Sequence, residues 1–413
     1  MRSPHCSRRQ VLAAAAGAWL TRPALANPQA PTAPVSLARC ITYDPQVLTP
    51  TLDRMFDQIG GLGRIVKGKT VAIKINLTGS PSYRLGHHRL EDTHWTHHAV
   101  ITAAVHLMGR AGAHRIRLLE SPWSTADPVE EYMLQGGWNP REILNAAPRV
   151  ECENTNYLGR AKKYSRFRTP KGGLMYPAYD LNHSYEDCDV FVSIAKLKEH
   201  ATAGVTLSMK NCFGNTPCTI YGEGAGENEP TILPRGGRGM FHSGHRQPSK
   251  SSPSEIDPSS PREGGYRVPR VVADLVAARP LHLNIIDGIH TMAGAEGPWN
   301  RPPLHFVKPG ILVVGTNCVT TDAVATAAMG YDPMADRGTM PFENCDNTMR
   351  LAEEFYGLGT RDLKRIEVVG ARLEEVRFDF GAMKKLPERW RAGRQNQTHP
   401  ATLIGRQAVE EDV

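Results

Sequence analysis

Residues 69–76 read Lys-Thr-Val-Ala-Ile-Lys-Ile-Asn, and residues 115–120 read Arg-Ile-Arg-Leu-Leu-Glu. In the first stretch Val71, Ile73 and Ile75 alternate with Ala72, Lys74 and Asn76, the period-two pattern of a strand with two unlike faces. Between the stretches, Val100, Ala104, Leu107 and Met108 recur at helical spacing behind Thr96, a capping residue, and glycines 109 and 112 close the run. Strand, helix, strand in that order predicts parallel pairing through a right-handed crossover.

The alternation continues outward. Leu52, Met55, Phe56 and Ile59 mark a helix ended by Gly60-Gly61. Residues 189–195, 281–287, 311–316 and 365–369 read as further strands. Residues 201–213, 321–329 and 349–356 have helical character, the second capped at Thr320 or Thr321 and closed by Gly330. The expected fold is α/β: a mostly parallel sheet flanked by helices, with a long irregular loop insertion at 222–268. That insertion is rich in Gly, Pro, Ser and Arg, and a stretch so long is either functional or disordered. The expected division is a leader at 1–26, a linker at 27–48, the α/β body at 49–370 and a basic tail at 371–413. The tail holds Lys384, Lys385, Arg389, Arg391 and Arg394.

The chain has 413 residues, 40% hydrophobic and 22% charged, enough to bury a sizeable core without staples. Its net charge is +7, but Arg2, Arg8, Arg9 and Arg22 carry four of those charges and the first 26 residues hold no acid. The remainder is too weakly basic for a nucleic-acid footprint. The start reads Ser7-Arg8-Arg9-Gln10-Val11-Leu12, then an apolar run to Leu20, then Ala24-Leu25-Ala26. Paired arginines, a short apolar region and an A-x-A site predict a twin-arginine (Tat) signal and a periplasmic or secreted protein. A general secretory signal and an uncleaved anchor are the alternatives. No later stretch has the length and apolarity of a membrane span. Seven cysteines follow the leader, none in a C-x-x-C pair, so neither a ferredoxin-type iron–sulfur motif nor a zinc ribbon is present. An odd number suggests at least one free thiol, and Cys212 with Cys218 is a candidate pair.

Several constellations could carry chemistry. Lys74 and Asn76 stand at a strand's carboxyl end, where open α/β sheets bind ligands. Alone, they read as a lysine leaving the sheet for solvent. Lys196, Lys198 and His200 follow the strand 189–195 and project to one side if the chain stays extended. Thr206, Lys210 and Asn211 come next, with Thr206 and Lys210 at i, i+4 spacing. Three crowded ammonium groups repel unless an anion sits among them, which favours a small anionic ligand over a solvated basic turn. Asp287 ends another strand and Glu296 follows; with His200 they are candidate acids or bases, although Asp287-Gly288 and Gly297-Pro298 also suit turns. Thr321 and Asp322 fit a helix start, and a helix N-terminus could also face a ligand. His87, His88, His94, His97, His98, His242, His245 and His290 raise a divalent metal as the alternative guest, without an H-E-x-x-H motif.

The strings at 71–76, 96–100, 110–121, 195–214, 285–299, 315–333 and 352–370 together resemble the DUF362 family, over roughly residues 69–370. The resemblance implies that Lys74, Asn76, Lys196, Lys198, His200, Lys210, Asn211, Asp287, Glu296 and Asp322 are motif positions. Some members of that family carry ferredoxin-type cluster motifs and so imply redox work; this chain departs there. The combined expectation is an exported protein that binds a small anionic ligand in a lysine-rich cleft. In it, the loop with Arg235, Arg238, His242 and His245 would close over the site. The alternatives are an accessory protein of a periplasmic redox or metal-loading system and a metal-dependent hydrolase.

Overall fold

A computed structural model describes residues 29–300 and 303–385. Its main sheet has eight strands: β1 (Val35–Arg39), β2 (Thr70–Lys74), β3 (Arg115–Glu120), β4 (Val150–Asn154), β5 (Val190–Lys196), β6 (Leu283–Gly288), β7 (Ile311–Gly315) and β8 (Val368–Gly370). Across the sheet the order is β8-β1-β7-β6-β5-β2-β3-β4. Every neighbouring pair is parallel except those made by β7, which runs against both β6 and β1. The protein therefore has the expected α/β fold with a mostly parallel sheet.

Five helices frame the site: α1 (Pro45–Gln58), α2 (His98–Arg110), α3 (Leu207–Asn211), α4 (Gly264–Ala278) and α5 (Cys318–Ala328). The period-two pattern sorts the strand side chains between two layers. Val71, Ile73, Val192, Ile194 and Ile285 pack against α1 and α2, through Leu52, Phe56, Val100 and Leu107. Ala72, Phe191, Ala195, Ile286 and Val313 face the other way, against Leu207, Val272, Leu275 and Val324. This parity decides where every polar residue at a strand end goes.

Some boundaries differ from expectation. Helix α2 is capped by His97, whose Nδ1 accepts the Ala99 N–H (3.1 Å), while the Thr96 hydroxyl donates to the Ile194 carbonyl (3.2 Å). Helix α5 is capped by Asn317, which accepts from Val319 and Thr320 (3.0 and 3.1 Å), rather than by a threonine. The expected linker at 27–48 contains β1 and the start of α1: Val35 and Leu37 alternate with polar Ser36 and are fully buried. The described part of the expected tail is folded, with Phe380 buried and Lys384 paired to Glu199 (3.0 Å). The leader at 1–26 and Arg389, Arg391 and Arg394 lie outside the described residues. The 222–268 insertion is pinned: buried Glu255 pairs with Arg262 (2.7 Å) and Arg267 (2.8 Å), and α4 already begins within it. The seven described cysteines are free thiols, Cys212 and Cys218 included.

Candidate functional site

Lys74 closes β2 on the face opposite α1 and α2, and its Nζ pairs with Glu120 Oε1 at the end of β3 (2.7 Å). The same ammonium donates to the Ile75 carbonyl (2.5 Å) and to Asn211 Oδ1 (3.3 Å). The Asn211 amide in turn donates to the Lys74 carbonyl (3.1 Å) and Ser193 Oγ (3.0 Å), tying α3 to two strand ends. Glu120 also accepts the N–H groups of Leu77 (2.9 Å) and Ser121 (3.0 Å). Gly214 passes over this pair; a Cβ there would stand 2.9 Å from Lys74 Cε. Asn76 donates to the His94 carbonyl (3.2 Å).

Beyond β5 the chain leaves the sheet. Lys198 Nζ donates to the carbonyls of His94 (2.9 Å) and Glu296 (2.8 Å). His200 Nδ1 accepts the Thr202 N–H (3.2 Å), so the neutral ring carries its proton on Nε2. The Glu296 carboxylate accepts from Ala201 N (3.0 Å), Asn300 Nδ2 (3.2 Å) and Trp299 Nε1 (3.4 Å). Lys210, in the last turn of α3, lies 4.0 Å from the centre of the Phe213 ring and has no carboxylate partner among the described residues. Arg238, from the insertion, donates through Nε to Thr216 O and Oγ1 (2.8 Å each) and through its other arm to Ser121 Oγ.

A cavity of about 100 Å³ opens between these groups, several times the roughly 10–15 Å³ that one water needs. Lys74, Asn76, Lys198 and His200 line it, as do Thr206, Lys210, Asn211 and Glu296, so eight expected site residues converge there. Glu120, Ser121 and Arg238 also line it. Glu120 is a residue that pattern reading passed over; an acid closing a buried strand beside the lysine-bearing one was the available signal. Of the four loop residues expected to cover the site, Arg238 alone lines the cavity. His242 Nδ1 meets the Arg238 carbonyl (3.0 Å), and half-exposed His245 pairs with Glu223 (2.7 Å).

Three expected residues stand elsewhere. Lys196 shares the parity of Val192 and Ile194 and so points toward α1 and α2, where Nζ bonds Asp287 Oδ2 (2.8 Å), the Glu91 carbonyl (2.6 Å) and the Tyr43 hydroxyl (3.3 Å). Asp287 is opposite Lys196 in the parallel register and accepts from Tyr43 Oη (2.9 Å) and the N–H of His97 (3.0 Å) and Ile289 (3.2 Å). Both side chains are fully buried, so neither faces the cavity nor is placed to move a proton there. Asp322 accepts the N–H groups of Ser208 and Met209 (2.9 Å each) and so fixes the first turn of α3. Leu207 in that turn has φ of +44°, a left-handed conformation that costs a bulky residue about 1–3 kcal/mol unless neighbours enforce it. Asp322 does line a separate cavity of about 10 Å³ that shares Thr206 and Lys210 with the main one.

Four cationic side chains around the main cavity face two carboxylates, and burial magnifies the imbalance. Burial lowers Lys210 to about 7, with Glu296 opposing the shift and Arg238 and Lys74 adding to it. Lys198 is pushed well down by burial and by Lys210, Lys196 and Lys74, against the pull of Glu296. Lys74 is lowered by burial but held up by Glu120. His200 is driven well below the usual histidine range by burial and Lys210, which keeps it neutral. Burial resists ionisation of Glu296, yet the Ala201 N–H and the Asn300 amide favour the carboxylate and lower its pKa. Asp322 moves the other way, raised by burial to about 7 despite its two backbone donors.

Metal-type side chains gather elsewhere. Among the described residues the group within ligand distance of one another is Glu91, His97 and His98, their ligand atoms within 4.8 Å. His97 Nδ1 already accepts the Ala99 N–H, which leaves its proton on Nε2, and Glu91 pairs with Arg89 (2.5 Å). Asp287 and Glu296 do not join the histidines in such a group.

Thylakoid-associated protein sll1697 of Synechocystis sp. is 28% identical over 185 residues, which make up 44% of this chain and 50% of that protein. A Thermotoga maritima protein of known crystal structure is 15% identical with a TM-score of 0.28, over 43% of this chain and 40% of its own. The lactate racemase apoprotein of Thermoanaerobacterium thermosaccharolyticum is 9% identical with a TM-score of 0.30, over 63% and 51%. The chain thus spans about half the length, or less, of each of these proteins. The profile described as "Domain of unknown function (DUF362)" matches residues 71–327, the span that holds the carboxyl ends of β2, β3 and β5, α3 and every cavity-lining residue named above; the chain belongs to the DUF362 family.

Proposed function

We propose that this protein binds a small anionic ligand in the cleft between β2, β3 and α3. The observation that carries the reading is the charge imbalance: Lys74, Lys198, Lys210 and Arg238 surround one cavity against Glu120 and Glu296. An anion would restore the proton that burial and mutual repulsion remove from Lys210. The cavity size suits a molecule of a few heavy atoms. Titration calorimetry with oxalate and inorganic phosphate tests the reading. Binding should weaken tenfold or more in Lys210→Met or Arg238→Gln, as expected for loss of one charged hydrogen bond of about 1.5–3 kcal/mol. The reading falls if neither anion binds, or if the variants bind as well as the parent.

Export by the Tat route belongs to the same proposal, supported by Arg8-Arg9, the apolar run and Ala24-Leu25-Ala26. Replacing Arg8 and Arg9 with lysines should retain the protein in the cytoplasm on cell fractionation. Unchanged export would remove this part of the reading. No helix among the described residues is long and apolar enough to cross a membrane.

A further inference from the structure

Lys210 differs from the other cations of the cleft. Lys74 has a carboxylate, Lys198 has two carbonyls and Arg238 has Thr216 and Ser121. Lys210 has an aromatic ring under its amine and the cavity in front of it. Its backbone is fixed, because α3 is held at its start by Asp322 and at its end by Asn211. A desolvated lysine beside other cations is the arrangement that makes an amine nucleophilic near neutral pH.

We propose that Lys210 Nζ forms an imine with the carbonyl carbon of a small 2-oxo acid, whose carboxylate is held by the neighbouring cations. This deepens the anion-binding reading and rests on it. The amine lone pair attacks the carbonyl carbon and gives a carbinolamine. The carbon–oxygen bond then breaks, a carbon–nitrogen double bond forms, and the oxygen leaves as water with both amine hydrogens. No redox partner is required. Lys74 and Arg238 line the same cavity as Lys210 and would hold the carboxylate, and His200 Nε2–H is a neutral donor in the same lining. The amine is about half unprotonated near neutral pH. The groups that face it are Glu296, Arg238, Lys74, Lys198, His200 and His242.

The test treats the mature protein with glyoxylate or pyruvate and sodium borohydride, which reduces an imine to a stable secondary amine, and maps the adduct by peptide mass spectrometry. Lys210 should be labelled in preference to exposed Lys250, and oxalate should compete. Lys210→Arg, checked for an unchanged melting temperature, should lose the adduct. Propanal, which has no carboxylate, should label it far less. No adduct at Lys210, an adduct on Lys74 or Lys198 instead, or equal labelling by propanal would each overturn the proposal. Oxalate binding without trapping would sink the imine and spare the anion reading; absence of both would sink the two together.

Discussion

Lys196, sealed within the fold, and Lys210, which keeps part of its surface in the open cleft, are lysines of one chain treated in opposite ways. Lys196 meets Asp287, a carbonyl and a tyrosine hydroxyl in a sealed cluster on the α1–α2 side of the sheet. Lys210 meets a ring and open space on the other side. A saturated ion is a structural element, and its removal costs stability. An unsaturated one is held in readiness by the rest of the fold, and its removal should cost function instead. Parity along β5 separates the two outcomes, because the strand turns Lys196 toward one layer and delivers α3 to the other.

The largest expected effect is at the saturated cluster. Asp287→Ala strands a buried ammonium and should lose about 3–5 kcal/mol in urea unfolding. Lys210→Met, by contrast, should lose no stability at neutral pH and should gain some, since no ion pair is broken and the folded state no longer has to hold an uncompensated ammonium. Equal losses in the two variants would erase the distinction.

A second test uses pH. The folded pKa of Lys210 is lowered to about 7 from an ordinary value of 10.5, so between those values the unfolded chain binds more protons than the folded one. Stability of the parent relative to Lys210→Met should therefore rise as pH climbs from about 7 toward 10. It should be lowest below 7, where the folded state must hold the charge. A flat difference would mean that the amine is solvated or paired.

Gly214→Ala sharpens the comparison within the cleft. The added methyl would crowd Lys74 Cε at 2.9 Å and should cost about 1–3 kcal/mol, with weaker oxalate binding by calorimetry. Asn317→Ala serves as the control. It removes the α5 cap and should cost about 1 kcal/mol with no change in ligand affinity.

Much of this was legible in the order of residues. The alternation in 69–76 placed Lys74 and Asn76 at a strand end, and the density of polar groups after 189–195 led to Lys198, His200, Thr206, Lys210 and Asn211. Lys196 was misplaced by an assumption of continued extension. Its side follows from the Val190–Ile194 register, and its partner from the pairing with β6, which a sequence does not display. Glu120 escaped notice because a carboxylate ending a strand has no meaning until the neighbour with Lys74 is known. Arg238 could be placed in a loop but not at a wall, since the path of an irregular segment follows from contacts such as Thr216 and Ser121. The strand β1 was hidden by the prolines around it.

Because β7 runs backwards, the chain leaves β6 at Gly288 and re-enters the sheet at Ile311 on the same side, the carboxyl end of the parallel strands. That excursion brings Glu296 to the cavity, with Trp299 donating to its carboxylate. Because Lys198 leans on the Glu296 carbonyl and Ala201 on its carboxylate, the segment and the chain just beyond β5 must keep step: a change in the one would be felt at Lys198 in the other.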